Sequence, residues 1–140
     1  MHYQKALSAL VWEFNDSLDI TKNPTLAQNI SSKVELFKVL SNKANNLKAL
    51  NNPSLALATY ELLFDLIDDM RLEYFADLSI YNLLQSAVPL YEAGIEIALS
   101  LVEKEKAFEF IARSKSVLLL ADIRELQAKN KAQIPAKLLL

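Results

Sequence analysis

The sequence EKAFEFIARSKSVLLLADIRELQ at residues 105–127 decides the fold that this chain predicts. Apolar and small residues recur at steps of three and four, which places them in two neighbouring rows along one α-helix: Ala107, Ile111, Ser114, Leu118 and Ala121 in the first, and Phe108, Ala112, Leu119, Ile123 and Leu126 in the second. The turn at residues 117–121 is apolar on every side, so we expect more than one neighbour to cover it. If that coverage is complete, Leu118→Ala should cost ~2–5 kcal/mol.

Composition supports a long-helix architecture around that stretch. The chain has 140 residues, 52% of them hydrophobic, with one Gly and four Pro, so turns are few and one domain of several helices is expected. The net charge of −2 and the pI of about 5.4 give no basic field for nucleic acid, and no apolar run is long enough to cross a membrane. The absence of cysteine excludes disulfides and thiol catalysis and suggests a cytoplasmic location.

Upstream of residue 105 the sequence predicts four further helices. The first covers residues 3–14 and is followed by an aperiodic linker at residues 15–32, which holds at most one helical turn at 26–30 and lies packed across the helices. The second begins at a capping box, Ser32 with Glu35, and ends at residues 51–52. Asn52 then caps the third helix and Pro53 takes its first position. Because the connection is so short, these two helices are predicted to be antiparallel neighbours.

The fourth helix is predicted over residues 76–102 as one kinked element. Pro89 falls in its polar row, and the apolar phase continues through that position without a slip. Gly94 falls in an apolar row, where Ala would favour a helix by about 1 kcal/mol. A neighbouring helix that approaches closely at Gly94 would offset this loss.

The third and fifth helices share a weak internal repeat. Ala56, Tyr60 and Leu63 match Ala107, Ile111 and Ser114, which is the small-then-large spacing of the second helix in a tetratricopeptide (TPR) unit. The two sets are separated by more residues than one ordinary TPR unit contains, so the repeat is degenerate and its helices are lengthened.

Several segments together resemble the last helical repeats of TPR–CHAT proteins, just upstream of their caspase-like CHAT peptidase domain. They are FND at 14–16, NP at 23–24, LALATYELLFDLIDDMR at 55–71, LYEAGIEIALSL at 90–101, EKAFEFIARSKSVLLLADIRE at 105–125 and IP at 134–135. The resemblance implies an all-α fold: antiparallel helical hairpins stacked as a degenerate TPR-like α-solenoid of about five helices, with long third to fifth helices and a single domain over residues 1–140. It also implies a scaffold that binds protein partners and positions or regulates the downstream CHAT domain.

Two departures from that family pattern bear on the expectations. The connection at residues 102–106 is shorter than in the relatives, which usually carry a longer turn with Gly or Asp there. CHAT domains resemble caspases in using a His–Cys dyad, whereas this chain has no Cys and only His2. We therefore expect no enzymatic activity and no cofactor or metal from this segment.

Candidate interaction residues lie mainly on the fifth helix. Arg113, Lys115 and Arg124 either dock an acidic surface of the downstream domain or are ordinary solubilising charges. A carboxylate row on the third helix, Glu61, Asp65 and Asp68, is either a solvated face or a site for a cation or a basic partner. Trp12, Tyr60 and Tyr91 are interpreted as core residues.

The C-terminal segment is predicted to be an interface rather than a natural terminus. Residues 129–131 close the fifth helix with cations, and Ile134-Pro135 begins a further helix. Leu138, Leu139 and Leu140 would then pack against the next domain of a longer chain, and in isolation they would favour association of copies. The alternative function is a self-contained helical bundle that acts as a dimerisation module.

Overall fold

The structure, a computed structural model, describes residues 2–26, 30–73 and 80–133. It contains five helices: α1 (His2–Leu10), α2 (Lys33–Ala49), α3 (Pro53–Glu73), α4 (Ile80–Ser100) and α5 (Lys104–Gln133). Each helix packs on its neighbour in sequence, and α2 also contacts α4. The described ranges hold no strand, only an isolated bridge between Val11 and Ile30. The predicted all-α class and the long third to fifth helices are thereby confirmed.

Three predicted helix boundaries are wrong, and one of them is the end of the fourth helix, which lies at Ser100 rather than residue 102. The first helix ends at Leu10 rather than residue 14, because Ser31 donates hydrogen bonds from its backbone N and its Oγ to the Leu10 carbonyl oxygen, at 2.8 and 3.0 Å. These bonds hold the linker against the end of α1 and turn the chain away. The fifth helix runs two residues past Lys131, to Gln133. The predicted start of the fourth helix at Ala76 and most of the predicted turn at 26–30 fall outside the described residues.

The connection between α2 and α3 is as short as predicted, and α3 starts at Pro53. Ser32 accepts a hydrogen bond from the Glu35 backbone N at 3.3 Å at the start of α2. At the other end Asn51 adopts the left-handed region, with φ 59°, and the Asn52 backbone N donates to the Leu47 carbonyl at 2.9 Å. Asparagine is one of the few residues that tolerates this conformation, so the turn is unstrained.

The connection between α4 and α5 also has one residue in the left-handed region, but that residue is a valine. Val102 has φ 59°, and the Glu103 backbone N donates to the Ala98 carbonyl at 2.8 Å. A β-branched residue in the left-handed region is strained because its side chain meets its own backbone. This is the shortened connection at residues 102–106. Its strain comes from the backbone conformation of Val102, whose side chain is exposed.

We expect Val102→Asn to stabilise the protein by about 1 kcal/mol, since Asn adopts the left-handed conformation with less strain. Val102 is exposed, so the substitution removes little packing. Urea unfolding measures the change. The matched control is the reverse exchange at the other connection, Asn51→Val, which should lose a similar amount. A Val102→Asn variant that is less stable than the native chain would contradict the strain.

Phe64 is the centre of the core. Its ring stacks on Tyr91 at a centroid distance of 4.1 Å and meets the Phe110 ring edge-on at 4.8 Å, which joins α3, α4 and α5. A Cβ atom added to Gly94 would lie 2.8 Å from the Phe64 ring. The close approach predicted at Gly94 is therefore confirmed. Pro89 is exposed within a continuous α4, as predicted.

Candidate protein-interaction surface

The carboxylate row of α3 faces basic residues of α5. Arg113 Nη2 lies 2.9 Å from Asp65 Oδ1 and 2.5 Å from Asp68 Oδ2. Lys106 Nζ lies 2.8 Å from Glu61 Oε1. The basic partner that the row could bind is therefore another helix of the same chain, and these ion pairs link two helices that are not adjacent in sequence.

The Tyr91 hydroxyl lies beside this charged set. It is buried and has no hydrogen-bond partner among the described residues. Burial raises the pKa of Tyr91, and the negative charge of Asp68 raises it further. A phenol held neutral in this way is a structural group rather than a proton donor or acceptor for chemistry at neutral pH.

Lys43 on α2 is a fully buried cation that sequence reasoning missed. Its exposed fraction is 0%, and its Nζ donates to Gln4 Oε1 at 2.5 Å, Asn23 Oδ1 at 2.7 Å and the Lys22 carbonyl oxygen at 2.9 Å. An ammonium group has three N–H donors, and each has an oxygen acceptor here. The signal was present in the sequence, because Lys43 follows Leu40 by three residues and precedes Leu47 by four, within the apolar row of α2.

Gln4 completes this buried polar cluster from α1. Its Nε2 donates to the backbone carbonyl oxygens of Asp16 and Asp19, at 2.9 and 2.6 Å. Gln4 and Lys43 together hold the aperiodic linker against two helices, as expected for a linker that lies packed across them. All of their donors are engaged inside the fold, so the cluster acts as a structural clamp.

The pKa of Lys43 makes stability depend on pH. Burial lowers this pKa to about 8, and the charge of Asp19 opposes the shift. The unfolded chain, with an ordinary lysine pKa, binds the proton more tightly than the folded chain does. Stability therefore rises with pH from about 8 towards the unfolded pKa, by at most ~1.4 kcal/mol per pH unit.

We expect the free energy of unfolding to increase by about 1–2 kcal/mol between roughly pH 8 and pH 9.5. The pH range ends there because burial raises the pKa of Tyr60 to about 12. The tyrosine of the unfolded chain ionises at about pH 10, so the free energy of unfolding that Tyr60 contributes falls above that pH. Urea unfolding across this range measures the slope. Lys43→Met should remove it, whereas the exposed-lysine variant Lys38→Met should retain it. A native chain whose stability is flat or falls over this range would contradict the prediction.

The outer face of α5 carries an exposed apolar surface, which we call the outer stripe. Its members are Phe108, Ile111, Leu118, Leu119, Ile123 and Leu126. Leu118 is 42% exposed and Leu119 is 61% exposed, so the burial predicted for Leu118 is wrong. Only the opposite side of that turn, at Val117 and Ala121, is buried. The cost of Leu118→Ala should accordingly fall below the range expected for a buried leucine.

The predicted interaction residues occupy different environments. Arg113 is largely buried against α3, with a side-chain exposure of 17%. Arg124 is 8% exposed and lies on the inner side of α5. Lys115 is exposed and lies on the same helix face as the outer stripe. Leu138, Leu139 and Leu140 fall outside the described residues.

Two of the three aromatic residues interpreted as core are buried. Tyr60 and Tyr91 are 0% exposed, which confirms that interpretation. Trp12 is 82% exposed, so its assignment to the core is wrong. The cause is the early end of α1, because Trp12 follows the bridge at Val11 and no longer continues the helical row.

Within residues 2–26, 30–73 and 80–133, no cluster of His, Asp or Glu is arranged to hold a metal ion. In the same ranges no helix combines the length and apolar character that crossing a membrane requires. Comparison with protein-family models, curated proteins and solved structures found no match to this chain.

Proposed function

We propose that this chain is a non-catalytic helical-repeat scaffold for protein–protein interaction, which adjoins a downstream caspase-like CHAT domain and positions or regulates it. The observation that carries the interaction role is the outer stripe. It extends for five turns of one helix, or ~27 Å from Phe108 to Leu126. Exposed apolar surface that is concentrated on one face of a soluble protein often marks a site of interaction with another protein.

The order in which the helices pack supports a degenerate TPR-like α-solenoid. Helices α2 and α3 form one antiparallel hairpin and α4 and α5 the next, while α2 and α4, the first helices of the two hairpins, also touch. Ala56 and Ala107 hold corresponding positions in the second helices, and both are buried. This is the nearest-neighbour packing that stacked repeats use.

The residue inventory supports a non-catalytic role. The chain has no cysteine, and its single histidine is exposed at the start of α1. The buried Lys43 and the half-buried Arg113 make their hydrogen bonds to groups inside the fold. We assign any peptidase chemistry to the downstream domain and a cytoplasmic location to the whole protein.

Site-specific photo-cross-linking tests the interaction surface. A photoreactive amino acid at Leu119, in the outer stripe, should cross-link to a protein surface in cells, and tryptic mapping identifies the residues joined. The same probe at Leu72, an exposed leucine of α3, is the matched control. Equal labelling at the two positions would contradict a specific surface on α5.

The reading frame that follows Leu140 tests the link to a CHAT domain. A β-rich segment that carries a His and later a Cys supports the proposal. A continuation without that pair, or a stop codon, would contradict the part of the proposal that concerns the CHAT domain. Cross-linking would still test the interaction surface.

A further inference from the structure

Two opposite charges lie on the same face of α5 as the outer stripe. Lys115 and Asp122 are exposed and lie on the same face of α5 as Leu118 and Leu119. Neither charge forms an ion pair with another described residue. They are separated by two helical turns, one on each side of the Leu118–Leu119 pair.

This spacing fits an antiparallel copy of the same helix. A two-fold axis that passes between Leu118 and Leu119 brings each residue level with the one at the mirrored distance from that point. Lys115 of each copy then lies level with Asp122 of the other copy, which gives two equivalent pairs. Ile111 of each copy lies level with Leu126 of the other. The leucine pairs of both copies meet at the axis. Phe108 and Ile123 lie level with Lys129 and Ser114, so four of the six stripe residues meet apolar partners. The central part of the stripe thus has the self-complementarity that an isologous dimer requires.

We propose that the outer stripe is the interface of a symmetric dimer, formed by antiparallel pairing of α5 with α5 of a second copy of this chain. This inference rests on the proposed interaction role of the stripe and names its partner. The apolar residues drive the association by removing their surface from water. The two Lys115–Asp122 pairs fix the register and the direction, since a shifted pairing would set each of these charges against apolar side chains.

The charges distinguish a second copy from other occupants. A second copy supplies an acid and a base at the required spacing with no further condition, whereas a different protein would have to carry both charges at that spacing in the opposite order. The segment at residues 134–140 carries one charge, Lys137, and cannot satisfy both positions at once. A single helix pair is smaller than a standard stable interface, so we expect a dimer in the micromolar range.

Sedimentation equilibrium of the whole chain over roughly 1–200 µM tests the proposal. The native chain should show a monomer–dimer equilibrium. Lys115→Glu and Asp122→Lys should each raise the dissociation constant by at least ~10-fold, because each sets two like-charge pairs at the interface. The double variant Lys115→Glu/Asp122→Lys should restore dimerisation to within ~3-fold of the native chain, because both pairs are re-formed with their charges exchanged.

Two further variants complete the test. Leu119→Glu should be monomeric throughout the range, whereas the control Leu72→Glu, also at an exposed helical leucine, should dimerise as the native chain does. Deletion of residues 134–140 should leave the equilibrium unchanged. Circular dichroism of each variant confirms that it is folded.

Three results would overturn the dimer. One is a native chain that stays monomeric over the whole range, and another is a double charge exchange that does not restore association. The third is association that requires residues 134–140 but ignores the charges. None of these results would remove the scaffold proposal, because cross-linking from Leu119 to a different protein would still support it.

Discussion

The Phe64→Ala variant should lose about 3–5 kcal/mol of its free energy of unfolding, since it removes a fully buried ring that joins three helices. Leu99→Ala is the matched control, because Leu99 is an exposed apolar residue of α4 and its truncation should cost less than ~1 kcal/mol. Urea unfolding of both variants gives the difference.

A double-mutant cycle with Gly94 tests whether the Phe64 ring packs against this glycine. Gly94→Ala alone should destabilise the protein, because overpacking against the Phe64 ring costs ~1–3 kcal/mol and outweighs a helix-propensity gain of about 1 kcal/mol. In the Phe64→Ala background the ring is absent, so the same change should be neutral or stabilising. Equal effects of Gly94→Ala in both backgrounds would show that the two residues are not coupled.

Lys43→Met should destabilise the protein by about 3–5 kcal/mol, which is typical when one partner of a buried charged network is removed. The methionine fills most of the volume but leaves Gln4 Oε1 and Asn23 Oδ1 without their donor, while the Lys22 carbonyl oxygen keeps only the hydrogen bond from Gln4 Nε2. The loss is measured by urea unfolding at neutral pH, with tryptophan fluorescence of Trp12 as a reporter of the adjacent linker.

Lys38→Met is the matched control for Lys43→Met. Lys38 lies on the same helix but is exposed, and it pairs only with Glu35 one turn away, at 3.3 Å. Its replacement should change stability by no more than ~0.5 kcal/mol. If Lys43→Met cost as little as Lys38→Met, the buried polar cluster would not be a clamp.

The five helices could be predicted because their residues carry local signals. Pro53 and Asn51 mark a helix start and a helix end, and the apolar phase through Pro89 predicts one continuous α4. Gly94 predicts a close contact because glycine inside a helix is unfavourable unless a neighbour needs the space. These signals depend on the residue itself or on its near neighbours in sequence.

The candidate surface was harder to predict because apolar spacing does not say which face is covered. On α5 the row led by Phe108 was expected to lie beside the buried row, yet Phe108 is 74% exposed and Phe110 is 1% exposed. The buried side is set by where α4 and the Asp65–Asp68 pair of α3 meet the helix, which is tertiary information. Lys43 was missed for a related reason, since a lysine is assumed to be solvated unless its acceptors are known.

Packing between helices that are neighbours in sequence has a consequence for how the chain acquires its structure. Few of the contacts close long loops, so the entropy lost before helices can meet is small and folding should be fast for a chain of this length. Order can spread from one hairpin to the next as each helix becomes available during synthesis. The backbone of α1 meets only α2 and that of α5 meets only α4, so the amide protons of these two helices are the ones that local opening exposes most readily to exchange with solvent.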